Sequence, residues 1–492
     1  MPHQALSMID IGRNALFYGG KWQAPFSDAR IDVVNPADGS PLGSVVDANA
    51  QDVDAAVEAA RRAFPAWRDL PPVERAKLMI KAANALRSHS DELAYLDALD
   101  AGLPIRMMAN DVEMAASQIE YFAGLVRETK GDTLPMGPGS LNYSVREPLG
   151  VVVRIHPFNH PIMFAAAKVA PALAAGNVVI GKPADQTPLS ALALAEIWKD
   201  IFPPSVFNLI TGSRECGAHL VAHCGVAKVG VIGSVETGRA VMRSAADTLK
   251  KVTLELGGKN ALIAYPDART SDIAQAAVKG MNLDWTAGQS CGSTTRIFLH
   301  EAVHDAVVEE MKQLLSEIRL GPPTDPATEM GCLVSERQRD RVLSYVATAK
   351  QEGATLVCGG AAPEDPALAG GYFVLPTLFT DVAPGMTIAR EEIFGPVMAV
   401  FRWSDEEQML AEVNALDYGL AASIWTNDLA TAHRCAAKTE AGYIWINGVG
   451  AHFVGAPFGG YKQSGLGREE CLEDLLSYTQ TKNVNLSLSR SP

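Results

Sequence analysis

The sequence predicts an α/β protein built on parallel β-sheets that helices cover on both faces. From residue 150 onward, short β-branched runs alternate with helical stretches, a pattern that favours right-handed β-α-β units. The chain has 492 residues, of which 48% are hydrophobic. That length and composition suit roughly two to four globular domains of about 100–200 residues each.

The first 130 residues are predicted to be mostly helical. A helix over residues 49–67 places apolar side chains on one face and has Asn49 as a candidate N-cap. Pro72 suits the first turn of the next helix, because its missing N–H would be unpaired there in any case. A third helix is predicted over residues 91–100.

The next region alternates strands and helices. The predicted strands are 150–155, 177–181, 206–210, 226–232 and 251–256, and the predicted helices are 163–174, 189–201, 216–222 and 236–245. In open parallel sheets of this kind, ligands bind at the carboxyl ends of the strands, near helix N-termini.

A second alternating stretch, from about residue 260 to 447, indicates a separate α/β domain with helices at 302–318 and 336–352. The tail over residues 483–489 alternates polar and apolar side chains strictly. This is typical of a half-buried end strand, which often pairs with another element or subunit.

Composition narrows the class of protein. A net charge of −14 argues against binding to nucleic acid or to an anionic membrane, since both require clustered Lys and Arg. The first residues do not resemble a secretory signal, and charged residues interrupt the most apolar stretch, 150–181, so no membrane span is expected. Seven cysteines without a C-x-x-C pair favour a reducing compartment, the cytoplasm, without a disulfide framework or metal site.

One cysteine lies in a distinctive segment. Cys291 is flanked by Gly and Ser residues, so nothing bulky lies beside its sulfur in the chain. Glu255 and Asn159 lie upstream, and a thiol nucleophile, a carboxylate base and an amide donor are the parts needed for covalent chemistry at a carbonyl carbon. Taken singly, Asn159 and Glu255 equally fit turn residues beside Pro and Gly.

The sequence contains a pattern that indicates a bound cofactor, but this pattern is weak evidence when taken by itself. Lys182 follows a predicted strand directly and could reach a ribose or phosphate. Gly233 and Ser234 also follow a strand and open a helix, where free backbone N–H groups could hold a pyrophosphate. The standard G-x-G-x-x-G fingerprint is absent, and the Gly233–Gly238 pair equally fits a tight turn.

Several ordered motifs resemble those of the NAD(P)-dependent aldehyde dehydrogenase superfamily, from about residue 19 to 479. They are Pro157-Phe158-Asn159-His160-Pro161, Gly181-Lys182-Pro183-Ala184, Gly233-Ser234, Leu254-Glu255-Leu256-Gly257-Gly258-Lys259, Gly288-Gln289-Ser290-Cys291, Glu391-Glu392-Ile393-Phe394-Gly395-Pro396 and Pro457-Phe458-Gly459-Gly460. This family binds its dinucleotide without the usual Gly triplet, which accounts for the weak cofactor motif.

The resemblance implies an aldehyde-dehydrogenase-like fold in three parts. A Rossmann-type cofactor domain would comprise residues 1–130 and 149–258, and an α/β catalytic domain residues 259–456. A small β oligomerisation unit would combine 131–148 with 477–492 and make the protein a homodimer or homotetramer.

The resemblance also implies catalytic roles. Cys291 corresponds to the nucleophile that forms a thiohemiacetal and then a thioester. Asn159 and the Cys291 backbone N–H correspond to the oxyanion donors, and Glu255 to the base for the hydrolytic water. The product would be a free acid, which disfavours a CoA-acylating enzyme; a non-catalytic relative is the other alternative.

The cofactor implied by the resemblance is NAD, with NADP left open. Glu392 and Phe394 correspond to contacts of the nicotinamide ribose and ring, and Lys182 to a contact of the adenosine ribose. Asp185 occupies a position where relatives that prefer NAD usually carry Glu. The remaining implied cofactor contacts are Ile155, Gly217, Gly233 and Ser234. Lys168 and Glu469 correspond to supporting positions near the centre, or are structural ion pairs.

The substrate is predicted to be a small-molecule aldehyde, aromatic or aliphatic. Candidate channel residues are Phe158, Phe164, Trp285 and Phe453. Asp284 beside Trp285 could instead suit a cationic amino- or betaine-type aldehyde, because aromatic faces attract cations.

Overall fold

The computed structural model describes residues 2–10 and 12–487 of the chain. Two large sheets dominate, one of eight strands and one of seven, and a three-stranded sheet lies apart from both. The prediction of an α/β protein is therefore confirmed. Residues 488–492, the end of the predicted C-terminal strand, lie outside the described residues.

The N-terminal region contains helices, as predicted, but also four short strands that were not predicted. In chain order its elements are α1 (Pro2–Ser7), β1 (Leu16–Tyr18), β2 (Lys21–Gln23), β3 (Arg30–Val34), β4 (Pro41–Val46), α2 (Ala50–Asp69), α3 (Pro72–Ser88), α4 (Ser90–Ala101) and α5 (Ile105–Gly124), with a 3₁₀ helix at Gly12–Asn14. Asn49 caps α2, since its side chain accepts from the backbone of Asp52 and the Asp52 carboxylate accepts in return.

The region of predicted β-α alternation folds as expected. Its elements are β5 (Thr133–Leu134), β6 (Ser140–Pro148), β7 (Val151–Ile155), α6 (Pro161–Ala167), α7 (Ala170–Ala174), β8 (Val178–Lys182), α8 (Leu189–Trp198), β9 (Phe207–Leu209), α9 (Arg214–Ala222), β10 (Lys228–Ile232), α10 (Val235–Ala246) and β11 (Lys251–Glu255). Strands β8 and β10 are buried along their whole length, as is typical of a parallel sheet covered on both faces.

One predicted element is wrong: residues 163–174 form two helices, α6 and α7, instead of one. The break lies at Lys168 and Val169. Pro171 lies in the first turn of α7. A proline there cannot donate to the carbonyl four residues earlier and its ring clashes with that carbonyl, so a continuous helix is disfavoured.

The second α/β region contains β12 (Ala261–Ala264), α11 (Thr270–Lys279), α12 (Leu283–Thr286), β13 (Arg296–His300), α13 (His304–Glu317), α14 (Glu336–Gln351), β14 (Thr355–Cys358), β15 (Thr377–Thr380), α15 (Thr387–Arg390), β16 (Val397–Trp403), α16 (Glu406–Asn414), β17 (Tyr418–Gly419), β18 (Ala421–Trp425), α17 (Leu429–Lys438) and β19 (Tyr443–Ile446), with a 3₁₀ helix at Pro366–Leu368. Its sheet has the order β14-β15-β16-β13-β12-β18-β19. Both predicted helices, α13 and α14, are present within two residues of their predicted ends.

The C-terminal segment returns to both earlier parts of the chain. It consists of β20 (Tyr461–Lys462), β21 (Gly465–Leu466), α18 (Leu472–Ser477) and β22 (Thr479–Ser487). Strand β21 completes the first sheet, whose order is β2-β1-β9-β8-β7-β10-β11-β21, by pairing antiparallel with β11. Strand β22 pairs antiparallel with β6 from Thr479 opposite Pro148 to Ser487 opposite Ser140.

No helix within residues 2–10 and 12–487 combines the length and apolar character that a membrane span requires.

Candidate active site

The carboxyl ends of the parallel strands in the first sheet gather several residues that the sequence singled out. Ile155 ends β7, Lys182 ends β8 and Glu255 ends β11, while Gly233 follows β10. Ile155 lies opposite Lys182 in the register, and Ile232 lies opposite Glu255. These residues therefore share one edge of the sheet, where α/β proteins bind ligands.

Two cavities meet at this edge. One, of about 430 Å³, extends towards α5 and α6. The other, of about 640 Å³, extends along β10 and the N-terminus of α10. Both are lined by Asn159, Ile232, Glu255 and Cys291. The three residues predicted to be catalytic thus lie where a ligand in one cavity would meet a ligand in the other.

The Cys291 loop is held by a residue that the sequence analysis missed. Asn260 donates from Nδ2 to the carbonyls of Cys291 (2.7 Å) and Ser293 (3.0 Å), and its Oδ1 accepts from the backbone of Ala421 (3.0 Å). One buried amide therefore ties the loop to strand β18. Its position next to the Gly257-Gly258-Lys259 motif was the only signal in the sequence.

The resting sulfur of Cys291 carries its proton. Burial raises the pKa of the thiol to about 12, and the nearby carboxylates of Glu392 and Glu255 act in the same direction, although Lys168 opposes them. Since a thiolate is the reactive form, the proton must be removed when a substrate is bound.

Glu255 is buried, and neither of its carboxyl oxygens has a hydrogen-bond partner among the described residues. Burial raises the pKa of Glu255 well above its usual value, and the charge of Glu469 raises it further. This is the direction of shift that brings a carboxyl group towards the range of a general base at neutral pH. A side chain at Gly459 would approach Glu255 Oε1 to 2.8 Å, which explains the glycine in that motif.

Asn159 lies between β7 and α6 and is buried, and its Oδ1 has no partner among the described residues. The side chain lines both cavities, so its amide group is placed to hydrogen-bond a ligand there.

A buried ion-pair network lies behind Glu255. Glu469 accepts from Arg154 (2.8 Å) and pairs with Lys168 (3.1 Å), and Lys168 also pairs with Glu470 (2.9 Å). Burial by itself would raise the pKa of Glu469, but the neighbouring cations Arg154 and Lys168 lower it to about 2. Lys168 and Glu469 thus form structural ion pairs as well as lining the first cavity. The sequence analysis missed Arg154 and Glu470.

Four of the predicted cofactor residues line the second cavity: Gly233, Ser234, Glu392 and Phe394. The Ser234 hydroxyl caps α10 by accepting from the backbone of Thr237 at 3.2 Å. A side chain at Gly238 would come within 2.5 Å of Leu256, so this glycine permits the close packing of α10 on the segment after β11.

Glu392 and Phe394 are held by contacts with the segment after β11, with α14 and with the loop after β7. Glu392 accepts from the backbone of Gly258 at 2.9 Å, and burial raises its pKa to about 7. Phe394 has a φ of 60°, and its carbonyl accepts from Gln338 at 2.7 Å. Its ring meets Phe158 edge to face at 5.6 Å. Phe158 lines this second cavity and not the first, so its predicted place in the substrate channel is wrong.

The other four predicted cofactor residues lie outside both cavities. Lys182 is buried and donates to the carbonyl of Pro183 at 3.1 Å, and burial lowers its pKa. A side chain at Gly217 would contact Lys182 and Ile155 at 3.7–3.8 Å, so these residues adjoin one another. Asp185 is half-buried nearby in sequence.

The wall of the first cavity combines aromatic and aliphatic side chains with polar ones, and it includes the predicted residues Phe164 and Trp285. Phe453 does not line it and is 64% exposed. Asp284 lines a separate surface groove together with Arg106 and Lys279. Asp284 does not line the cavity that contains Cys291, so its position does not support the predicted role beside a cationic substrate.

Across residues 2–10 and 12–487, no group of three or more His, Cys, Asp or Glu side chains is arranged to hold a metal ion.

Comparison with known proteins identifies the family. The model of the aldehyde dehydrogenase family matches residues 22–484. The aldehyde dehydrogenase tropH of Talaromyces stipitatus is 49% identical over 481 residues, which cover 96% of this chain and 93% of the relative. A betaine aldehyde dehydrogenase of Mesorhizobium japonicum is 43% identical over 470 residues, covering 95% of this chain and 96% of the relative.

Solved structures agree over almost the whole chain. The aldehyde dehydrogenase of Bacillus cereus in complex with NAD+ superposes with a TM-score of 0.94 at 39% identity, covering 97% of each chain. The betaine aldehyde dehydrogenase of Staphylococcus aureus in complex with NAD+ has a TM-score of 0.96 at 33% identity, covering 100% of this chain and 98% of the other. These matches confirm the predicted fold. The chain belongs to the aldehyde dehydrogenase family.

Proposed function

We infer that the protein oxidises a small-molecule aldehyde to its carboxylic acid with NAD+, using Cys291, Glu255 and Asn159 as catalytic residues. The observation that supports this most directly is that these three side chains line both cavities. An aldehyde in the first cavity and a dinucleotide in the second would meet at the Cys291 sulfur.

In the first step, the Cys291 thiol releases its proton to solvent water and its sulfur bonds to the aldehyde carbon, while the carbonyl electron pair moves onto oxygen. The Asn159 amide and the Cys291 backbone N–H would donate to this oxyanion in the thiohemiacetal. Removal of one such donor typically costs on the order of 10²–10³ in rate.

NAD+ supplies the acceptor for the hydride that leaves the thiohemiacetal carbon, and a thioester remains on Cys291. The half-buried carboxylate of Glu392 would accept from a ribose hydroxyl, and the N-terminus of α10 with Ser234 would hold the anionic pyrophosphate. Asp185 would favour NAD over NADP by repelling a 2′-phosphate, with Lys182, Ile155 and Gly217 completing the adenosine side.

In the last step, Glu255 takes a proton from the water that attacks the thioester. The carbonyl carbon gains the water oxygen, the carbon–sulfur bond breaks, and the acid leaves while the Cys291 sulfur takes the proton back from Glu255 to restore the thiol. A base in this position disfavours a CoA-acylating reaction, which needs no activated water, and also disfavours a purely structural role.

The aromatic wall of the first cavity supports an aromatic or aliphatic aldehyde as substrate. A second candidate is a betaine-type aldehyde. It is supported by relatives named betaine aldehyde dehydrogenase and by Trp285 and Trp445 in the wall, since indole faces attract quaternary ammonium groups.

The domain boundaries are also proposals: residues 1–130 and 149–258 bind the cofactor, 259–456 form the catalytic domain, and 131–148 with 477–492 form an oligomerisation unit. Residues 457–476, outside these ranges, contribute β21 to the cofactor sheet. The free edge of β22 and the exposed apolar residues on its sheet support a homodimer or homotetramer.

The test follows NADH formation over a panel of aromatic, aliphatic and betaine-type aldehydes, with and without CoA. Oxidation independent of CoA is expected. The Cys291→Ala variant should lose all activity, whereas Cys224→Ala, which changes an exposed cysteine, should retain it.

The Glu255→Gln variant separates the two chemical steps. It should give a burst of NADH stoichiometric with enzyme, followed by slow turnover, because the thioester forms but is hydrolysed slowly. A uniform loss without a burst would contradict the role given to Glu255. No NADH with any aldehyde and either dinucleotide would contradict the proposed function.

A further inference from the structure

Two histidines line the Cys291 cavity, and each is held by a buried carboxylate. His160 Nδ1 lies 2.8 Å from Asp111 Oδ2, and His452 Nδ1 lies 3.2 Å from Glu470 Oε2. Asp111 is fully buried and Glu470 is 7% exposed. The histidines come from different parts of the chain, His160 from the start of α6 and His452 from the loop after β19.

The His160 ring is fixed on several sides. Asp111 also accepts from the indole N–H of Trp285 through its other oxygen, at 2.9 Å. The His160 ring meets Phe164 and Trp285 edge to face, each at 5.4 Å. One carboxylate on α5 therefore orients two rings of the cavity wall at once.

The His452 ring is fixed in a comparable way. It stacks on Tyr443 at 5.8 Å and lies 4.5 Å from Phe458. Its partner Glu470 has a φ of 67°, an uncommon conformation for a residue with a side chain, and is held by Lys168 at 2.9 Å. Strain of this kind persists only where surrounding contacts impose it.

These contacts determine which hydrogen-bonding atoms the two histidine rings present to a ligand. A carboxylate only accepts, so Nδ1 of each ring donates to its partner, and in a neutral imidazole with that tautomer Nε2 keeps its lone pair. Neither Nε2 forms a hydrogen bond with the described residues. Two oriented acceptors therefore lie in a wall that is otherwise largely apolar, with Met163, Phe164, Trp285, Trp445 and Phe458 around them.

We propose that His160 and His452 are specificity-determining residues that select an aromatic aldehyde whose ring carries hydroxyl groups, each Nε2 accepting from a substrate O–H. This rests on the proposed function and narrows its substrate class. Flat aromatic walls suit a planar ring. A site built to bond a hydroxyl group rejects the analogue without it, because its own polar atoms then stay unpaired. A quaternary ammonium aldehyde has no O–H for either acceptor.

The experiment measures kcat/KM for dihydroxybenzaldehydes, the matching dimethoxybenzaldehydes, benzaldehyde and betaine aldehyde. The methoxy compounds keep the oxygen atoms but remove the donor hydrogens. The unmodified enzyme should prefer dihydroxy over dimethoxy compounds by about 100-fold, which is about tenfold for each hydrogen bond.

The variants His160→Phe and His452→Phe should each reduce that preference about tenfold, because kcat/KM should fall more for the dihydroxy compounds than for the dimethoxy compounds or benzaldehyde. His160→Gln and His452→Gln, which keep a side-chain acceptor, should restore part of the preference. His433→Phe, an exposed position on α17, is the control and should leave the preference unchanged.

Equal rates for dihydroxy and dimethoxy compounds, or preferred oxidation of betaine aldehyde, would overturn the inference while leaving the proposed function intact. A uniform loss for all aldehydes in both Phe variants, without rescue by Gln, would also overturn it by showing a purely structural role. Failure of every aldehyde with the unmodified enzyme is a different result, which rejects the proposed function itself.

Discussion

At the scale of single residues, Glu255 shows how burial and function oppose one another. Its carboxyl group has no hydrogen-bond partner among the described residues, and its pKa is raised first by burial and then by Glu469. A carboxyl group in such a place favours its neutral form, whereas a general base must ionise. Glu255 is therefore expected to lower stability at the pH where it would act as the proposed base.

Replacing Glu255 with Gln should raise the melting temperature, and increasingly so with pH. Below the ordinary carboxyl pKa of 4.5, both folded and unfolded chains are protonated. Above that pH, Glu255 ionises in the unfolded chain while it is still protonated in the folded protein. The free energy of unfolding therefore falls as the pH rises through the raised pKa of Glu255 in the folded protein. Gln cannot ionise and avoids this loss.

The measurement is thermal unfolding of both proteins from about pH 5 to about pH 8, which starts above the ordinary carboxyl pKa. Glu364→Gln, at an exposed site, serves as the matched control and should show no such trend. A difference between Glu255→Gln and the unmodified protein that stays constant over this range would contradict the assignment of a raised pKa.

At the scale of elements, α10 links sequence pattern to cofactor binding most clearly. Its N-terminus opens onto the second cavity, Ser234 caps it, and Gly238 lets it pack closely on Leu256. A capped helix end with unused backbone N–H groups is a natural place for a pyrophosphate. Gly238 is thus explained by the close packing of α10 on Leu256, and Gly233 by its position in the wall of the second cavity.

Ser234→Ala should raise KM for NAD+ about three- to tenfold, with little change in KM for the aldehyde, because one hydroxyl group and the cap of α10 are lost. Ser244→Ala, on the same helix but away from its N-terminus, is the matched control. Equal effects of the two substitutions, or a change confined to the aldehyde KM, would argue against a pyrophosphate at this helix end.

At the scale of the whole molecule, the three-stranded sheet β22-β6-β5 has, among the described residues, an unpaired edge at β22 and exposed apolar side chains on one face. Leu141 lies opposite Leu486, and Tyr143 opposite Val484, on one face of β6 and β22. Leu141 and Leu486 are 39% and 46% exposed. Side chains two apart on a strand share a face, so these residues form an apolar stripe that suits a second copy of the chain.

Leu141→Asp should shift the protein towards monomers, since a charge in the centre of this stripe would be buried without a partner in an interface. Molar mass measured by light scattering during gel filtration gives the answer. Thr481→Asp places the same charge on the opposite face of β22 and should leave the mass unchanged. An unmodified protein that is already monomeric at micromolar concentration would contradict the oligomerisation proposal.

Local pattern accounts for much of what was predicted correctly. Strands β7 to β11 and the helices between them, except the predicted helix 163–174 that is divided into α6 and α7, were located within a few residues, because their apolar periodicity lies within short segments. The motifs around Asn159, Glu255 and Cys291 were likewise found from neighbouring residues. The errors at Phe453 and Asp284 arose because a neighbour in sequence can face a different surface.

The sequence by itself determined the α/β class, the family resemblance and the choice of Cys291, since these depend on residue order and local periodicity. Only the tertiary structure revealed the Asn260 support of the cysteine loop, the return of β21 to the first sheet, and the two histidine–carboxylate pairs. His160 pairs with Asp111 across 49 positions, and Lys168 with Glu470 across 302. Burial and pairing between such distant positions follow from how the chain packs, and no periodicity within one segment encodes them.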